Sequence, residues 1–270
     1  MARKHRQTNL PPPFLKRVWL DLENVEDPDA YPFDLPFLRG GFEFEFTQPI
    51  TVIVGENGAG KSTLLEGIAV LAGYDDAGGG KGWKPVDHSQ AREVMGGELS
   101  KALRAAWLPK VTQGWFFRAE SFFDVARYLD AGSMNGPDFL SYSHGEGFLR
   151  FFEERCQGRH GIFFFDEPES ALSPSRQVTF LKLLHAMQLS GICQVIMATH
   201  SPLLMAYPAA QLVHLTYRGL RPIAVEETEH FKMMRSFWSN PDAFMKDALA
   251  EAEDEASGGE GDEDDDADPE

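Results

Sequence analysis

The chain has 270 residues, 43% of them hydrophobic, which is enough for one large α/β domain or two small ones. No apolar stretch approaches the roughly 20 residues that a membrane-spanning helix needs, so no membrane span is expected. The basic N-terminus is not followed by an apolar secretory segment, and two cysteines are too few for a disulfide framework, so a cytoplasmic location is expected.

The formal net charge of −17 is concentrated at the C-terminal end. Residues 251–270 contain twelve acidic residues and no basic one; with these set aside, 30 of the 42 acids remain against 25 lysines and arginines, a net charge of −5. The segment has no apolar periodicity and is predicted to be a disordered acidic tail. A solubilising role is the simplest interpretation, and a lure for a basic partner or a mimic of DNA is the alternative.

The first thirteen residues, 1–13, are predicted to be flexible, and three strands are predicted after them. An apolar stretch at 14–22 predicts the first strand. Phenylalanines at 42, 44 and 46 alternate with glutamates, which predicts a strand with one buried face. The apolar run 51–54 predicts a third strand, and a helix with Gly73 as its C-cap follows.

A glycine-rich loop joins the third strand to this helix. Its sequence, Gly55-Glu56-Asn57-Gly58-Ala59-Gly60-Lys61-Ser62-Thr63, has the Gly-x-x-x-x-Gly-Lys-Ser spacing of a phosphate-binding P-loop. Its glycines let the backbone turn N–H groups toward phosphate oxygens, and the helix start adds its positive end. Lys61 can reach the β- and γ-phosphates, and Ser62 can bind Mg²⁺. The nucleotide-binding residues predicted in this loop are Gly55, Asn57, Gly58, Ala59, Gly60, Lys61, Ser62 and Thr63.

Strands and helices alternate in the rest of the chain, which predicts an α/β sheet with a parallel centre. The predicted strands are 115–118, 162–165, 194–198, 211–216 and 222–227, the last two as a hairpin through Arg218-Gly219. The predicted helices are near 90–106 and at 121–130, 175–189 and about 228–250.

Two of these strands end in residues that suit phosphate chemistry. The run Phe163-Phe164-Phe165 is followed by Asp166, which can hold Mg²⁺ directly or through water, and by Glu167, which can polarise an attacking water. The next buried strand ends at His200, which can hydrogen-bond a γ-phosphate or the attacking water. Surface acids and a structural histidine are the alternative interpretations, and the preceding P-loop makes them less favoured.

A further short motif lies between the P-loop and the acidic strand. Ser143-His144-Gly145-Glu146-Gly147 precedes a helical run, so it predicts a second anion-binding helix start. A turn with Ser143 as an ordinary N-cap would explain the same residues.

In this order the motifs resemble those of the ATP-binding cassette (ABC) class of ATPases, over about residues 14–230, and in particular a group of small, stand-alone bacterial ABC-type ATPases. The resemblance implies an α/β P-loop NTPase fold of the ABC type. Its central sheet would be mainly parallel, with an antiparallel β part, in a domain at 14–250 with a helical subdomain at about 75–158. It also implies that Ser170–Ser173 is the dimer-contacting D-loop and that His200 is the switch histidine.

The same resemblance assigns the signature motif, usually Leu-Ser-Gly-Gly-Gln, to residues 142–146. It implies that Ser143 and Gly145 contact the γ-phosphate held by the partner subunit of an ATP-dependent homodimer. His144 stands in place of a glycine of the family pattern, and Glu146 in place of the glutamine.

Two further positions of the family pattern have alternative candidates here. The Q-loop glutamine should follow the strand at 115–118, where Glu120 is the nearest polar residue; Gln113 precedes the strand and fits less well. Tyr31 and Phe33 are candidates for stacking on the adenine, and either can instead belong to the core. The predicted metal ligands are Ser62, Asp166 and Glu120.

The sequence thus predicts a Mg²⁺-dependent ATP hydrolase with Lys61, Glu167 and His200 as catalytic residues. ATP would lie between two subunits, and its hydrolysis would drive or gate an action on a protein or nucleic-acid partner. Lys61 and Ser143 are 82 residues apart, which leaves no room for the long coiled-coil arms of chromosome-maintenance ABC ATPases. Two alternatives stay open: the ATPase subunit of a membrane transporter, and a nucleotide-binding dimerisation switch with little turnover.

Overall fold

Strands and helices alternate along the part of the chain that the computed structural model describes, residues 10–81, 95–111, 113–118 and 144–258. The strands are β1 (Leu15–Leu20), β2 (Glu43–Glu45), β3 (Ile50–Val54), β4 (Gly79–Gly80), β5 (Leu103–Trp107), β6 (Gly114–Arg118), β7 (Gly161–Asp166), β8 (Cys193–Ala198), β9 (Ala210–Thr216) and β10 (Gly219–Pro222). The helices are α1 (Lys61–Ala72), α2 (Met95–Ala102), α3 (His144–Cys156), α4 (Pro174–Ser190), α5 (Pro202–Met205), α6 (Glu229–Ser239) and α7 (Pro241–Gly258).

The main sheet has the strand order β10-β9-β3-β8-β7-β6-β4. Its five central strands run parallel, and β10 and β4 add an antiparallel strand at either edge. The hairpin predicted through Arg218-Gly219 is confirmed as the link between β9 and β10. Since the carboxyl ends of parallel strands meet at one edge, the polar residues that follow β3, β7 and β8 come together there.

Both faces of the main sheet are covered, as the uninterrupted apolar sequences of its central strands require. Along β7, Phe164 belongs to the core that contains α1, whereas Phe163 and Phe165 belong to the core that contains α3 and α4. The helix predicted after the P-loop is confirmed as α1, and Gly73 ends it in the left-handed conformation with a φ of +100°. The two cores pack against the two faces of the sheet and so fix the positions of the polar residues at the carboxyl ends of its strands.

A smaller antiparallel sheet has the order β2-β1-β5. Here the helix predicted at 90–106 is wrong at its C-terminal end, because α2 ends at Ala102 and β5 begins at Leu103. The leucine and alanines of β5 favour a helix locally, yet β5 pairs with β1 over its whole length. This long-range pairing overrides the local preference. With its parallel centre and antiparallel part, the predicted fold class is confirmed.

The chain divides into two units, residues 1–223 and 224–270. The strand predicted at 222–227 is wrong: β10 covers Gly219–Pro222, and Val225–Glu227 forms a 3₁₀ turn. The hydroxyl of Thr228 then accepts the N–H of Phe231 and caps α6. No helix in the described ranges is both long and apolar enough to cross a membrane.

Helix α7 extends to Gly258, and so enters the segment predicted to be disordered from residue 251. Alanine and glutamate, which alternate in this part of the chain, are strong helix formers and account for the difference. Residues 259–270 lie outside the described residues, as does the helix predicted at 121–130.

Gly114 begins β6 where its backbone comes very close to β7. Its φ is +137°, and a Cβ at this position would lie 1.8 Å from the carbonyl oxygen of Ile162. We expect Gly114→Ala to lower the free energy of unfolding by on the order of 3 kcal/mol, because the backbone of β6 or β7 must move. Urea unfolding followed by circular dichroism measures this loss. Gly40→Ala is the control, since its Cβ position has no atom within 4 Å among the described residues other than Gly40 and its chain neighbours. Equal losses at both positions would contradict the prediction.

Candidate functional site

The predicted P-loop lies at the carboxyl end of β3, an inner strand of the main sheet between β9 and β8. Gly58 and Gly60 have φ values of +76° and +90°, which glycine adopts without strain. A Cβ on Gly60 would also lie 2.9 Å from the ring of Phe37. The loop leads directly into α1, whose first turn has N–H groups that no helical carbonyl accepts. Loop and helix start together form a site suited to an anion.

Lys61, the first residue of α1, points back over the loop. Its Nζ donates hydrogen bonds to the carbonyl oxygens of Gly55 at 3.0 Å and Glu56 at 2.7 Å, and the residue is only 4% exposed. Burial lowers the pKa of Lys61 below its ordinary value, and nearby carboxylates, led by that of Glu167, oppose this shift. The ammonium group is thus held by neutral carbonyls that a phosphate anion can replace.

Ser62 and Asp166 form the link between the P-loop and the acidic strand. The Oγ of Ser62 donates a hydrogen bond to Oδ1 of Asp166 at 3.0 Å. Mg²⁺ prefers oxygen ligands such as hydroxyl and carboxylate groups, and phosphate and water oxygens complete its coordination shell. These two residues therefore fit a Mg²⁺ site. Glu120, predicted as a third ligand, lies outside the described residues.

Glu167 and His200 follow the neighbouring strands β7 and β8 and face each other. The Nε2 of His200 lies 3.7 Å from Oε1 of Glu167. Glu167 has a φ of +47°, a left-handed conformation that is uncommon for a residue with a Cβ and that often marks a functional site. Its side chain is 45% exposed, so its carboxylate is accessible to a water molecule or a ligand.

A cavity of about 200 Å³ joins these elements. It is lined by Tyr31, Leu35, Asn57, Gly58, Gly60, Lys61, Ser62, Thr63, Glu167 and His200. The predicted catalytic residues therefore meet the P-loop around one space. Gly55 and Ala59, also predicted to bind nucleotide, lie beside it: Gly55 holds Lys61 through its carbonyl, and Ala59 packs against the core.

Tyr31 and Phe33, the two candidates for adenine stacking, take different positions. Tyr31 lines the cavity, is 45% exposed, and has its hydroxyl 2.5 Å from Oγ1 of Thr63. Phe33 packs against the core that contains α1. Of the two, Tyr31 is the one that the structure places at the cavity.

Arg118, at the end of β6, lies at the site, but the sequence did not predict it as a site residue. It pairs in register with Asp166, and its Nε lies 3.8 Å from Oδ2 of that carboxylate. Its Nη2 lies 2.7 Å from Oε1 of Glu66 in α1, and its Nη1 donates to the carbonyl of Asp76. Arg118 thus places a positive charge beside Asp166. The sequence does show an arginine at the end of an apolar strand, which could have suggested a role in the site. Which residue lies beside this arginine, however, depends on the strand order.

The signature motif is described only in part. Ser143 lies outside the described residues, and Gly145 lies in the first turn of α3. Glu146, which follows it, lies 3.6 Å from Arg150 of its own helix and 3.9 Å from Arg176 of α4. Among the described residues, none that lines the cavity comes from α3.

Two family models match the chain, and each covers one part of the site. The first, described as "AAA domain", matches residues 35–97, which contain the P-loop. The second, described as "AAA domain, putative AbiEii toxin, Type IV TA system", matches residues 121–206, which contain Asp166, Glu167 and His200. Both matches support a small protein of the ABC/AAA ATPase type. The predicted resemblance to this type of ATPase is therefore confirmed.

Solved structures similar to this chain are remote in sequence. One is the SMC head domain from Thermotoga maritima, with 16% identity over 78% of this chain and 99% of that chain, and a TM-score of 0.44. Another is cbiO1 from Clostridium perfringens, part of the ABC transporter complex cbiONQ, with 16% identity over 86% of this chain and 98% of that chain, and a TM-score of 0.39. No curated protein matches the chain.

Proposed function

We propose that this ABC/AAA-type protein binds and hydrolyses ATP with Mg²⁺. The observation that carries the proposal is the meeting of the P-loop, Glu167 and His200 around one cavity. A phosphate cradle alone fits many nucleotide-binding proteins. A carboxylate and a histidine beside the phosphate-binding loop are suited to promoting the attack of water on a γ-phosphate.

In this proposal the P-loop and Lys61 bind the β- and γ-phosphates. Lys61 exchanges the carbonyls of Gly55 and Glu56 for phosphate oxygens, and backbone N–H groups of the loop and helix start supply the remaining donors. Ser62 and Asp166 hold Mg²⁺, which supplies neutralisation of phosphate charge when it is bound. Tyr31 contacts the base.

Glu167 and His200 act on the water and the γ-phosphate. Glu167 accepts a hydrogen bond from the attacking water, orients it and takes its proton. His200 donates to the γ-phosphate or holds the same water. Phosphoryl transfer to water needs positioning and charge neutralisation more than covalent catalysis, and these residues supply both.

We propose further that a second copy of the chain completes the site. The resemblance to ABC ATPases supports contacts of Ser143 and Gly145 with the γ-phosphate bound by the partner. It is consistent with this that α3 contributes none of the described cavity-lining residues. The closed dimer would then drive or gate an action on a protein or nucleic-acid partner in the cytoplasm, a location supported by the low cysteine content.

Mixed dimers test both hydrolysis and the shared site. Lys61→Ala chains and Ser143→Arg chains are each expected to be inactive alone, because the first lacks phosphate binding and the second blocks the partner's site. In a mixed dimer one site combines an intact P-loop with an intact Ser143. An equal mixture is therefore expected to recover up to about one quarter of wild-type phosphate release, since half of the dimers are mixed and each has one intact site.

A second mixture is the matched control for this experiment. Lys61→Ala and Glu167→Gln chains carry their defects on the same side of the proposed site, so no mixed dimer has an intact site. No recovery is expected from this pair. If Ser143→Arg alone kept wild-type activity, the shared site would be wrong; if the wild-type protein released no phosphate, the proposed hydrolysis would be wrong.

A further inference from the structure

The carboxylate of Glu169 lies between the two loops that carry Glu167 and His200. Glu169 belongs to the 3₁₀ turn Pro168–Ala171, and its Oε1 accepts a hydrogen bond from the backbone N–H of His200 at 2.5 Å. The two residues are 31 positions apart in the sequence. This side chain therefore joins the turn that follows β7 to the loop that follows β8.

The contact continues the pairing of the two strands beyond the end of the sheet. The backbone N–H of Glu167 still donates to a backbone carbonyl, that of Ala198, at 3.0 Å. Two residues beyond the end of β8, the N–H of His200 donates to the carboxylate of Glu169 in place of a strand carbonyl. A partly buried N–H needs an acceptor, and this side chain supplies it where the ladder has ended.

The surroundings of Glu169 disfavour the charged form of its carboxyl group. Burial raises the pKa of Glu169, and the hydrogen bond from the His200 N–H acts in the opposite direction. A small apolar residue in this turn would avoid the cost of burying a carboxyl group. The acceptor oxygen is therefore the property of Glu169 that the fold uses.

The loop after His200 has an anchor of its own. The Oγ of Ser201 donates to Oε1 of Gln177 at 2.6 Å, and Nε2 of Gln177 donates to the carbonyl of Leu172 at 3.0 Å. These bonds attach Ser201 to α4 without Glu169. Removing the carboxylate of Glu169 should therefore leave the loop attached while it frees the backbone of His200.

We propose that Glu169 is a positioning residue for the hydrolytic site. By holding the backbone of His200, it keeps the imidazole opposite Glu167, with Nε2 and Oε1 3.7 Å apart. Glu169 acts through His200, because it is not among the described residues that line the cavity. The inference rests on the proposed ATP hydrolysis.

Two substitutions at this position separate the acceptor from the charge. Glu169→Gln keeps an oxygen that can accept the N–H of His200, and is expected to retain kcat within about threefold of wild type. Glu169→Ala removes the acceptor, and is expected to lower kcat at least about tenfold with little change in the KM for ATP. In a His200→Ala background the same Glu169→Ala change is expected to have almost no further effect, because the two residues act as one unit.

Hydrogen exchange of the His200 amide gives a readout that does not depend on turnover. Exchange at this amide is expected to be faster in Glu169→Ala than in wild type and unchanged in Glu169→Gln. Unchanged exchange in Glu169→Ala, or additive effects of Glu169→Ala and His200→Ala on kcat, would overturn the inference. An inactive wild-type protein whose His200 amide still responds to Glu169→Ala would instead count against the proposed hydrolysis.

Discussion

Glu167→Gln is expected to bind ATP almost as well as the wild-type protein and to release phosphate at least about 100-fold more slowly, the scale of general-base catalysis. The amide has nearly the shape of the carboxylate, so it should accept the left-handed backbone that Glu167 adopts, with its φ of +47°. It can no longer take a proton from the attacking water. Phosphate release under saturating ATP and Mg²⁺, together with ATP affinity by calorimetry, measures both parts.

The same variant is expected to accumulate as an ATP-bound dimer, because closure is no longer followed by hydrolysis. Light scattering with ATP and Mg²⁺, and again with ADP, would show this accumulation as a change in molar mass. Glu45→Gln, on the exposed face of β2, is the matched control and should behave as wild type. A wild-type rate of phosphate release from Glu167→Gln would remove Glu167 from the proposed mechanism.

Lys61→Ala is expected to weaken ATP binding by about 30- to 150-fold. The substitution removes a buried cation whose hydrogen bonds to charged phosphate oxygens contribute on the order of 2–3 kcal/mol, and each 1.4 kcal/mol changes affinity about tenfold. The protein should still fold, since burial lowers the pKa of Lys61 and its charge is therefore held inside the loop at a cost. Calorimetric titration with ATP and Mg²⁺ measures the affinity, and thermal unfolding without nucleotide checks the fold.

Lys101→Ala is the control for this loss of a lysine. Its ammonium pairs with Glu98 on the exposed side of α2, 2.6 Å away, and it takes no part in the cavity. We expect this variant to bind ATP as the wild-type protein does. Unchanged affinity in Lys61→Ala would refute the assignment of the P-loop.

Much of the site could be predicted because its motifs are contiguous in the sequence. The spacing from Gly55 to Thr63 specifies a tight turn before a helix, whichever sheet surrounds it. Asp166 and His200 could be placed together because each lies at the carboxyl end of a buried strand, and the carboxyl ends of parallel strands meet at one edge. The α/β class followed from the alternation of strands and helices.

Other parts of the site depend on which strands become neighbours. Arg118 lies beside Asp166 because β6 and β7 pair in register, and β5 is a strand because β1 lies next to it. Strand order and register result from packing of the whole sheet, so neither could be predicted from residues 103–118 alone.

The sequence by itself determined the phosphate-binding loop, the acidic strand end and His200, since each is specified by a few consecutive residues. Tertiary structure alone decided that Tyr31, and not Phe33, lines the cavity, and that the side chain of Glu169 holds the backbone of His200. The physical reason is that these contacts join distant parts of the chain. Their partners are set by how the sheet and its two cores assemble, and not by local preference.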